Sequence, residues 1–174
     1  MQNDHELIKE YQDGDRTAFE KIVRRHLSNT IGFFFNITGD RMAAEDLAQD
    51  VFFKLYKHLK NFRFEASFST FLYRVNLNTA NSWLSRNKWK NLLHLDQAPD
   101  RGARDTEVEK EWNRKELWDA IAKLPKKQRS VVMMRITQEL PYKEISEITG
   151  MSEGTAKVNY HHGLKTLKKW LKYD

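Results

Sequence analysis

The chain has 174 residues, of which 40% are hydrophobic and 12% aromatic, so it can bury one large or two small apolar cores and is not a disordered chain. Its net charge of +6 and pI near 9.4 indicate a polyanionic partner, without choosing between nucleic acid and a membrane surface. The absence of cysteine excludes disulfides, thiolate metal sites and cysteine nucleophiles.

The N-terminal half repeats apolar residues at the 3.6-residue period of amphipathic helices, and strand-like alternation is scarce. This periodicity predicts four helices, near Leu7–Gly14, Ala18–Gly39, Ala43–Leu59 and Ser69–Asn87. In the third of them Leu47, Val51 and Leu55 recur every four residues, which predicts one buried stripe.

The polar segment Asp96–Thr106 separates the two halves of the chain. It contains Pro99 and Gly102 and has no apolar face, so it is the best candidate for a flexible linker. Four more helices are predicted beyond it, near Val108–Lys123, Pro125–Thr137, Tyr142–Thr149 and Gly154–Tyr173. The sequence therefore predicts an all-α fold of two small helical domains joined by a flexible linker, with boundaries at 1–94, 95–107 and 108–174.

The segment from Pro141 to Lys157 has the pattern of a helix-turn-helix. Gly150 supplies the tight turn between two steeply crossing helices, and Ser152 stands where the N-cap of the second helix belongs. In DNA-binding proteins that second helix lies in the major groove. Here it carries Lys157, Asn159, His161, His162, Lys165, Lys168, Lys169 and Lys172. The pattern predicts that the chain reads DNA.

The stretch from Ala66 to Leu95 is a second candidate nucleic-acid surface, because it contains no acidic residue. Its basic, amide and aromatic side chains are Arg74, Arg86, Lys88, Lys90, Asn76, Asn78, Asn81, Asn87, Asn91, Phe68, Phe71, Tyr73, Trp83 and Trp89. Basic groups neutralise phosphates, amides read base edges and aromatic faces stack on unpaired bases, so the combination fits melted DNA. The alternative is an aromatic core beneath a solvated charged face. That alternative is favoured for Phe71, Leu72 and Val75 and stays open for the asparagines.

The predicted third helix presents an acidic side followed by aromatic residues. The residues concerned are Glu45, Asp46, Gln49, Asp50, Phe53, Lys54 and Tyr56. Such a face is usually only solvated, but it would also suit a basic partner helix. The sequence alone leaves both interpretations open.

Catalytic and cofactor sites are not evident. The histidines show no metal-ligand spacing, and the neighbours His161 and His162 point to different faces of a helix. There is no glycine-rich phosphate loop, and no second pair of carboxylates accompanies the acidic helix as a metal-dependent nucleic-acid enzyme would need. We expect no catalytic residue, no metal and no cofactor. Without a recognisable signal peptide or a long apolar run, we expect a cytoplasmic protein with no membrane partner.

Four segments share their order and spacing with the motifs of one family. Asp13–Phe19 is similar to the start of that family, and Ala44–Phe52 (AEDLAQDVF) to its AEDLxQEVF segment. Phe62–Arg74 is similar to FR…FxTWLYR, and Leu124–Lys157 to LPxxxR…YKEIAEILGxSEGTVK. Over nearly its whole length the chain resembles the extracytoplasmic-function sigma factors, the small two-domain initiation factors of bacterial RNA polymerase. The resemblance implies promoter recognition and melting without catalysis.

The resemblance also implies a role for each surface. The coiled coil of the polymerase beta-prime subunit would be bound by Glu45, Asp46, Gln49, Asp50, Phe53, Lys54 and Tyr56. A base flipped out of the minus-ten element would be held by Phe62, Arg63, Phe64, Glu65, Ala66, Ser67, Ser69, Arg74, Asn78 and Asn81. The minus-thirty-five element would be contacted by Lys143, Ser152, Glu153, Thr155, Lys157, Val158, Asn159, His161, His162 and Lys165. The linker would thread through the polymerase, whose beta flap is a further implied contact.

Three departures from the family pattern are informative. Phe64 stands where the minus-ten loop usually has glycine, and a bulky ring there would stack on the flipped base or alter its pocket. Phe71 replaces a frequent tryptophan, which we interpret as a core variation. Asn159 and His162 replace two usual arginines, so we expect weak minus-thirty-five binding by this chain alone.

Two alternatives remain at this stage. A helix-turn-helix regulator that binds duplex DNA without polymerase would explain residues 108–174 but leave the acidic helix and residues 62–78 unused. A sigma factor delivered to DNA by a separate targeting partner would explain why the second helix of the helix-turn-helix lacks two of the family's usual arginines. In the leading interpretation the partners are core polymerase, promoter DNA and a separate regulator, such as an anti-sigma factor.

Overall fold

The computed structural model describes residues 2–93 and 106–172, and within them the side chains of residues 2–87 and 113–172. These residues form helices and contain no strand, which confirms the predicted all-α class. The helices are α1 Asp4–Gln12, α2 Arg16–Thr38, α3 Arg41–His58, α4 Phe68–Leu93, α5 Thr106–Lys123, α6 Lys126–Gln138, α7 Tyr142–Thr149 and α8 Glu153–Leu171. A short 3-10 turn at Leu59–Asn61 follows α3.

The chain divides into two compact units, Met1–Thr79 and Ala80–Asp174, so the division falls inside α4. The predicted linker lies almost entirely outside the described residues. The predicted domain boundaries at 94 and 107 therefore stay a prediction.

Side-chain caps define where the helices of the first unit begin. Asn3 and Glu6 form a capping box at α1, in which each side chain bonds the other residue's backbone N–H. Asp15 caps α2, and the hydrogen bonds that it accepts from Thr17 lower the pKa of its carboxyl. Asp40 caps α3 directly after Gly39, which ends α2 in the left-handed conformation that glycine adopts without strain.

The core of the first unit forms where α1 and α3 pack against α2. Its fully buried side chains include Leu7, Ile8, Ile22, Phe33, Phe34, Val51 and Leu55. Two hydrogen bonds then tie α1 to the segment after α3, because Gln12 Nε2 donates to the carbonyls of Leu59 at 2.9 Å and Phe62 at 3.0 Å. These bonds hold the loop at residues 62–67 against α1.

The core of the second unit forms where α6 and α8 cross at close range. Gly163 of α8 allows this approach, since a Cβ atom built on it would lie 2.7 Å from Val132 Cγ2 of α6. Around the crossing the buried residues include Ile121, Val131, Met133, Met134, Ile145, Ile148 and Leu167.

We expect Gly163→Ala to lower the free energy of unfolding by about 1–3 kcal/mol, because the added methyl overpacks the α6–α8 crossing. Gly154→Ala on the same helix is the matched control. A Cβ there meets only Ser152 Oγ, at 4.0 Å, and alanine is the better helix former. Urea unfolding of the full chain measures both, and a Gly163→Ala protein as stable as Gly154→Ala would contradict the packing argument.

Candidate nucleic-acid and partner interfaces

One side of α3 combines carboxylates with an exposed aromatic ring. Asp46, Gln49 and Asp50 are exposed, Glu45 is half-buried and bonded to Arg41 at 2.8 Å, and Phe53 is 61% exposed. We call these five residues, Glu45, Asp46, Gln49, Asp50 and Phe53, the acidic face. An exposed ring framed by charges can be buried by a partner with complementary basic groups.

Lys54 and Tyr56, the other two residues predicted for this surface, also make contacts that stabilise the fold. Lys54 Nζ donates to Thr79 Oγ1 at 2.9 Å, and Thr79 is buried. The ring of Tyr56 lies 5.7 Å from that of Tyr11 and 5.2 Å from that of Phe19, and its backbone carbonyl accepts a 2.6 Å bond from the Tyr11 hydroxyl. Burial and the neighbouring Tyr56 raise the pKa of Tyr11. Substituting Lys54 or Tyr56 would therefore disturb packing as well as any partner contact.

The loop at residues 62–67 is built around a series of aromatic rings. We call it the minus-ten loop after the role that the resemblance predicts for it. The ring of Phe64 lies 5.0 Å from that of Phe62, which lies 5.1 Å from that of Phe71. Phe64 has φ of 59°, a left-handed conformation that is strained for a bulky residue. Glycine, which the family pattern would place at this position, would adopt the conformation freely, so Phe64 holds it at a cost in strain.

A cavity of about 520 Å³ opens between the minus-ten loop and the first turn of α1. We call it the base pocket after the flipped base that the resemblance predicts at this loop. Its lining residues are Asn3, Asp4, His5, Ile8, Phe64, Glu65, Ala66, Ser67, Phe68 and Ser69. The structure thus brings five of the predicted minus-ten residues together around one cavity. No local sequence signal links residues 3–8 to a loop nearly 60 positions later, so the contribution of α1 could not be predicted.

The α1 side of the base pocket is fixed by a small ionic network. Asp4 Oδ1 accepts a 2.5 Å bond from Arg25 Nη1, and Asp4 Oδ2 lies 3.0 Å from His26 Nε2. The ring of His26 meets that of Phe68 edge-on, with centroids 5.1 Å apart. This network joins α1, α2 and the start of α4 around the pocket.

The remaining residues predicted to contact the minus-ten element differ in accessibility. Arg63, Arg74 and Asn78 are exposed, whereas Asn81 is only 7% exposed. The Asn81 amide accepts a 2.7 Å bond from Arg129 Nε and donates a 3.4 Å bond to Ser130 Oγ, all within the second unit. Burial lowers the pKa of the Arg129 guanidinium. A DNA contact by Asn81 stays a prediction, and it would require these bonds to be exchanged.

The second helix of the helix-turn-helix, α8, begins as predicted at a serine cap. Ser152 Oγ accepts a 3.1 Å bond from the Thr155 amide, and Gly150 ends α7 with φ of 75°. The exposed predicted residues are Lys143, Ser152, Glu153, Thr155, Lys157, Val158, His161, His162 and Lys165. Asn159 is half-buried and donates a 2.8 Å bond to the Thr155 carbonyl of its own helix.

An aromatic and cationic cluster that the sequence analysis missed supports α8. The rings of Tyr142 and Tyr160 lie 6.1 Å apart, and the Arg135 guanidinium lies 5.1 Å and 5.7 Å from their respective centroids. Lys157 Nζ lies 5.7 Å from the Tyr142 ring. These are cation–π distances, so Tyr142 helps to hold the predicted DNA-contacting lysine in place.

Among the residues that the structure describes, no group of three or more His, Asp or Glu side chains could hold a metal ion. Within the same ranges no helix is long and apolar enough to cross a bilayer.

Comparison with known proteins identifies the class. The profile of Sigma-70 region 2 matches residues 22–90, which include the acidic face and the minus-ten loop, and that of Sigma-70, region 4 matches residues 114–167. The ECF RNA polymerase sigma-E factor of Haemophilus influenzae is 31% identical over 166 residues, covering 88% of this chain and 87% of that protein. The RNA polymerase sigma factor YlaC of Bacillus subtilis is 32% identical over 165 residues, covering 88% and 92%.

The fold agrees with these matches. It is similar to the structure of CnrH in complex with the cytosolic domain of CnrY, with a TM-score of 0.62 and 19% identity over 97% of this chain and 96% of that one.

The two profiles define an initiation factor of the sigma-70 class. Within that class, the identity and coverage of the relatives show that the chain belongs to the extracytoplasmic-function sigma factors of bacterial RNA polymerase. Its function is to direct core polymerase to promoters and to initiate transcription. The predicted sigma-factor identity is confirmed, and a helix-turn-helix regulator that acts without polymerase is not favoured.

Proposed function

We propose that this sigma factor binds polymerase and promoter DNA through three separate surfaces. The acidic face of α3 binds the beta-prime coiled coil of core polymerase, the minus-ten loop and base pocket hold an unpaired promoter base, and α8 reads the minus-thirty-five element. The single observation that carries the proposal is the base pocket, a cavity of about 520 Å³ whose lining includes Phe64 and Phe68. A protein that reads only duplex DNA would have no use for it, whereas an unpaired base needs a cavity and a ring on which to stack.

The test is transcription from linear promoter templates by core polymerase with this chain. A pool of promoters randomised across both elements supplies recognisable sites. We expect run-off transcripts only when the chain is present, and unpaired template DNA around the start site. Binding to duplex DNA without polymerase recruitment would instead support the regulator alternative.

The remaining roles follow from the same surfaces. We propose that the factor acts in the cytoplasm, where it meets polymerase, and that it performs no catalysis of its own. The beta flap is the expected polymerase contact of the second unit. A separate regulator, either an anti-sigma factor or a DNA-targeting partner, is expected to control it. The solved complex of the sigma factor RpoE with the anti-sigma factor NepR from Bartonella quintana, whose fold is similar to that of this chain with a TM-score of 0.53, supports the first of these by analogy.

His162→Arg should strengthen minus-thirty-five binding by the full chain more than Asn159→Arg does. His162 is exposed on α8, whereas the Asn159 amide is already bonded to the Thr155 carbonyl. Each arginine that reaches a phosphate should steepen the dependence of log K on log salt by roughly one unit. Titration of duplex promoter DNA at two salt concentrations measures this. Tight binding by the unmodified chain, with no gain from either arginine, would show that α8 binds the minus-thirty-five element without a targeting partner.

A further inference from the structure

The second half of α8 carries exposed lysines along one side of the helix. We call this set the lysine stripe, and its members are Lys165, Lys168, Lys169 and Lys172. Lys165 and Lys169 are four residues apart, as are Lys168 and Lys172, so these side chains are neighbours on the helix surface. The buried residues of α8 are Ala156, Gly163 and Leu167, which lie on its other side. The lysine stripe therefore points away from the core of the second unit.

The lysine stripe continues the face of α8 that is predicted to read the minus-thirty-five element. Val158, His161 and His162 are exposed, and the two histidines lie four and three residues before Lys165. Glu153, in the first turn, is the only carboxylate in the sequence of α8. In the described part of the chain none of the stripe lysines pairs with a carboxylate. Their positive charge is thus available to a partner.

The length of α8 separates the lysine stripe from the base edges. Its 19 residues span about 28 Å at roughly 1.5 Å per residue. The major groove is only about 12 Å wide and winds around the duplex, and the N-terminal residues of a recognition helix contact the bases. The later turns of a straight helix therefore leave the groove and pass over the sugar-phosphate strand that borders it.

Phosphodiester groups are the partners that suit the lysine stripe. A lysine ammonium group is a point charge on a flexible stem, and it can neutralise a phosphate without reading the base sequence. Complementing the helix dipole is another role for lysines near a helix C-terminus, but that effect falls off within the last turn. Lys165 lies before the last turn of α8, so the dipole does not account for it.

We propose that the lysine stripe is a sequence-independent anchor for the phosphate backbone of duplex DNA beside the minus-thirty-five element. The anchor rests on the proposed function of α8 and adds a second binding site on the same helix. The first half of α8 selects the sequence, and the second half supplies salt-dependent affinity. Such an anchor offsets the charge that is missing where Asn159 and His162 replace the family's usual arginines.

The test is a titration of duplex DNA with the full chain at several salt concentrations. One duplex is recovered from the randomised promoter pool, and a second has the same length with a scrambled minus-thirty-five element. The stripe variant removes all four charges, as Lys165→Gln, Lys168→Gln, Lys169→Gln and Lys172→Gln. The matched control makes the same change in net charge at exposed positions outside α8, as Lys115→Gln, Lys123→Gln, Lys126→Gln and Lys127→Gln.

Three further measurements support the comparison. Replacing the four stripe lysines by arginine keeps their charge. Lys168→Gln/Lys169→Gln removes half of it, and this pair replaces the fourfold variant if circular dichroism shows that the latter loses helix. The recovered duplex is also trimmed to the minus-thirty-five element alone, and a single-stranded RNA of the same length as the full duplex is titrated as a different polyanion.

We expect the stripe variant to flatten the slope of log K against log salt by about three to four units, since each lost phosphate contact removes about 0.9 unit. The pair should flatten it by about half as much. Affinity for the recovered and scrambled duplexes should fall by the same factor, so sequence preference is unchanged. The arginine variant and the matched control should keep the slope within about one unit. On the trimmed duplex the stripe variant should lose less, because the flanking phosphates are absent.

An unchanged slope in the stripe variant would overturn the anchor, as would equal flattening in the matched control. A loss confined to the RNA would also overturn it and would assign the lysines to a different nucleic acid. The proposed function is judged separately, by the preference of the unmodified chain for the recovered duplex over the scrambled one. If that preference is absent while the stripe variant still flattens the slope, the reading role of α8 fails and the anchor stands.

Discussion

Reversing two charges on the acidic face should abolish the association of this factor with core polymerase. Asp46 and Asp50 are exposed one helical turn apart on α3, next to the exposed ring of Phe53. In Asp46→Lys/Asp50→Lys, attraction to a basic coiled coil becomes like-charge contact, which costs several kcal/mol. We expect at least about a hundredfold weaker binding. Both residues are exposed, so helical content should not change.

The measurement is a titration of labelled factor with core polymerase, with circular dichroism as the check on folding. Asp13→Lys/Glu20→Lys is the matched control, since it makes the same change in net charge at exposed positions outside the acidic face. Equal loss in both double variants would indicate a general charge effect. Full binding by Asp46→Lys/Asp50→Lys would refute the assignment of this face.

Removing the ring of Phe64 should weaken open-complex formation by about fivefold to a hundredfold. The expectation rests on the value of stacking an unpaired base on an aromatic side chain, roughly 1–3 kcal/mol. Two variants separate this effect from the stability of the loop. Phe64→Ala removes the ring and keeps the strained backbone, whereas Phe64→Gly removes the ring and relieves the strain.

Phe64→Gly should therefore be more stable to urea than Phe64→Ala, by about 1 kcal/mol. Both should show the same defect when open complexes are measured by unpaired-base reactivity. If the defect followed stability instead, so that Phe64→Gly behaved like the unmodified protein, the ring would have no direct part in holding DNA.

The sequence predicted a helix accurately where residues that start or end helices mark both of its ends. Pro141 and Gly150 flank α7, and its bounds, Tyr142–Thr149, are those expected from the sequence. The predicted end of α4 at Asn87 was wrong. The helix continues to Leu93, because nothing between these positions breaks a helix and only the polar composition beyond suggested a stop.

The hydrophobic periodicity of the sequence could not predict the tertiary contacts. Asn78 and Asn81 lie one turn apart on α4 and share the acid-free surface, but only Asn78 is exposed. Asn81 is buried and its amide is bonded to Arg129 and Ser130, and no local sequence pattern predicts a partner 48 positions later. The α1 wall of the base pocket was missed for the same reason. Its position depends on Gln12 bonding to carbonyls, groups that every residue has.

The series of rings from His5 through Phe64 and Phe62 to Phe71 has a thermodynamic consequence. Fixing an aromatic side chain in one rotamer costs conformational entropy, and here that cost falls on folding, before any promoter arrives. Under the proposed function, a base that entered the pocket would meet rings that are already ordered, so more of its stacking energy would be available as affinity. On that proposal, the strain at Phe64 reduces the stability of the free protein in exchange for a preorganised surface on which strand separation would begin.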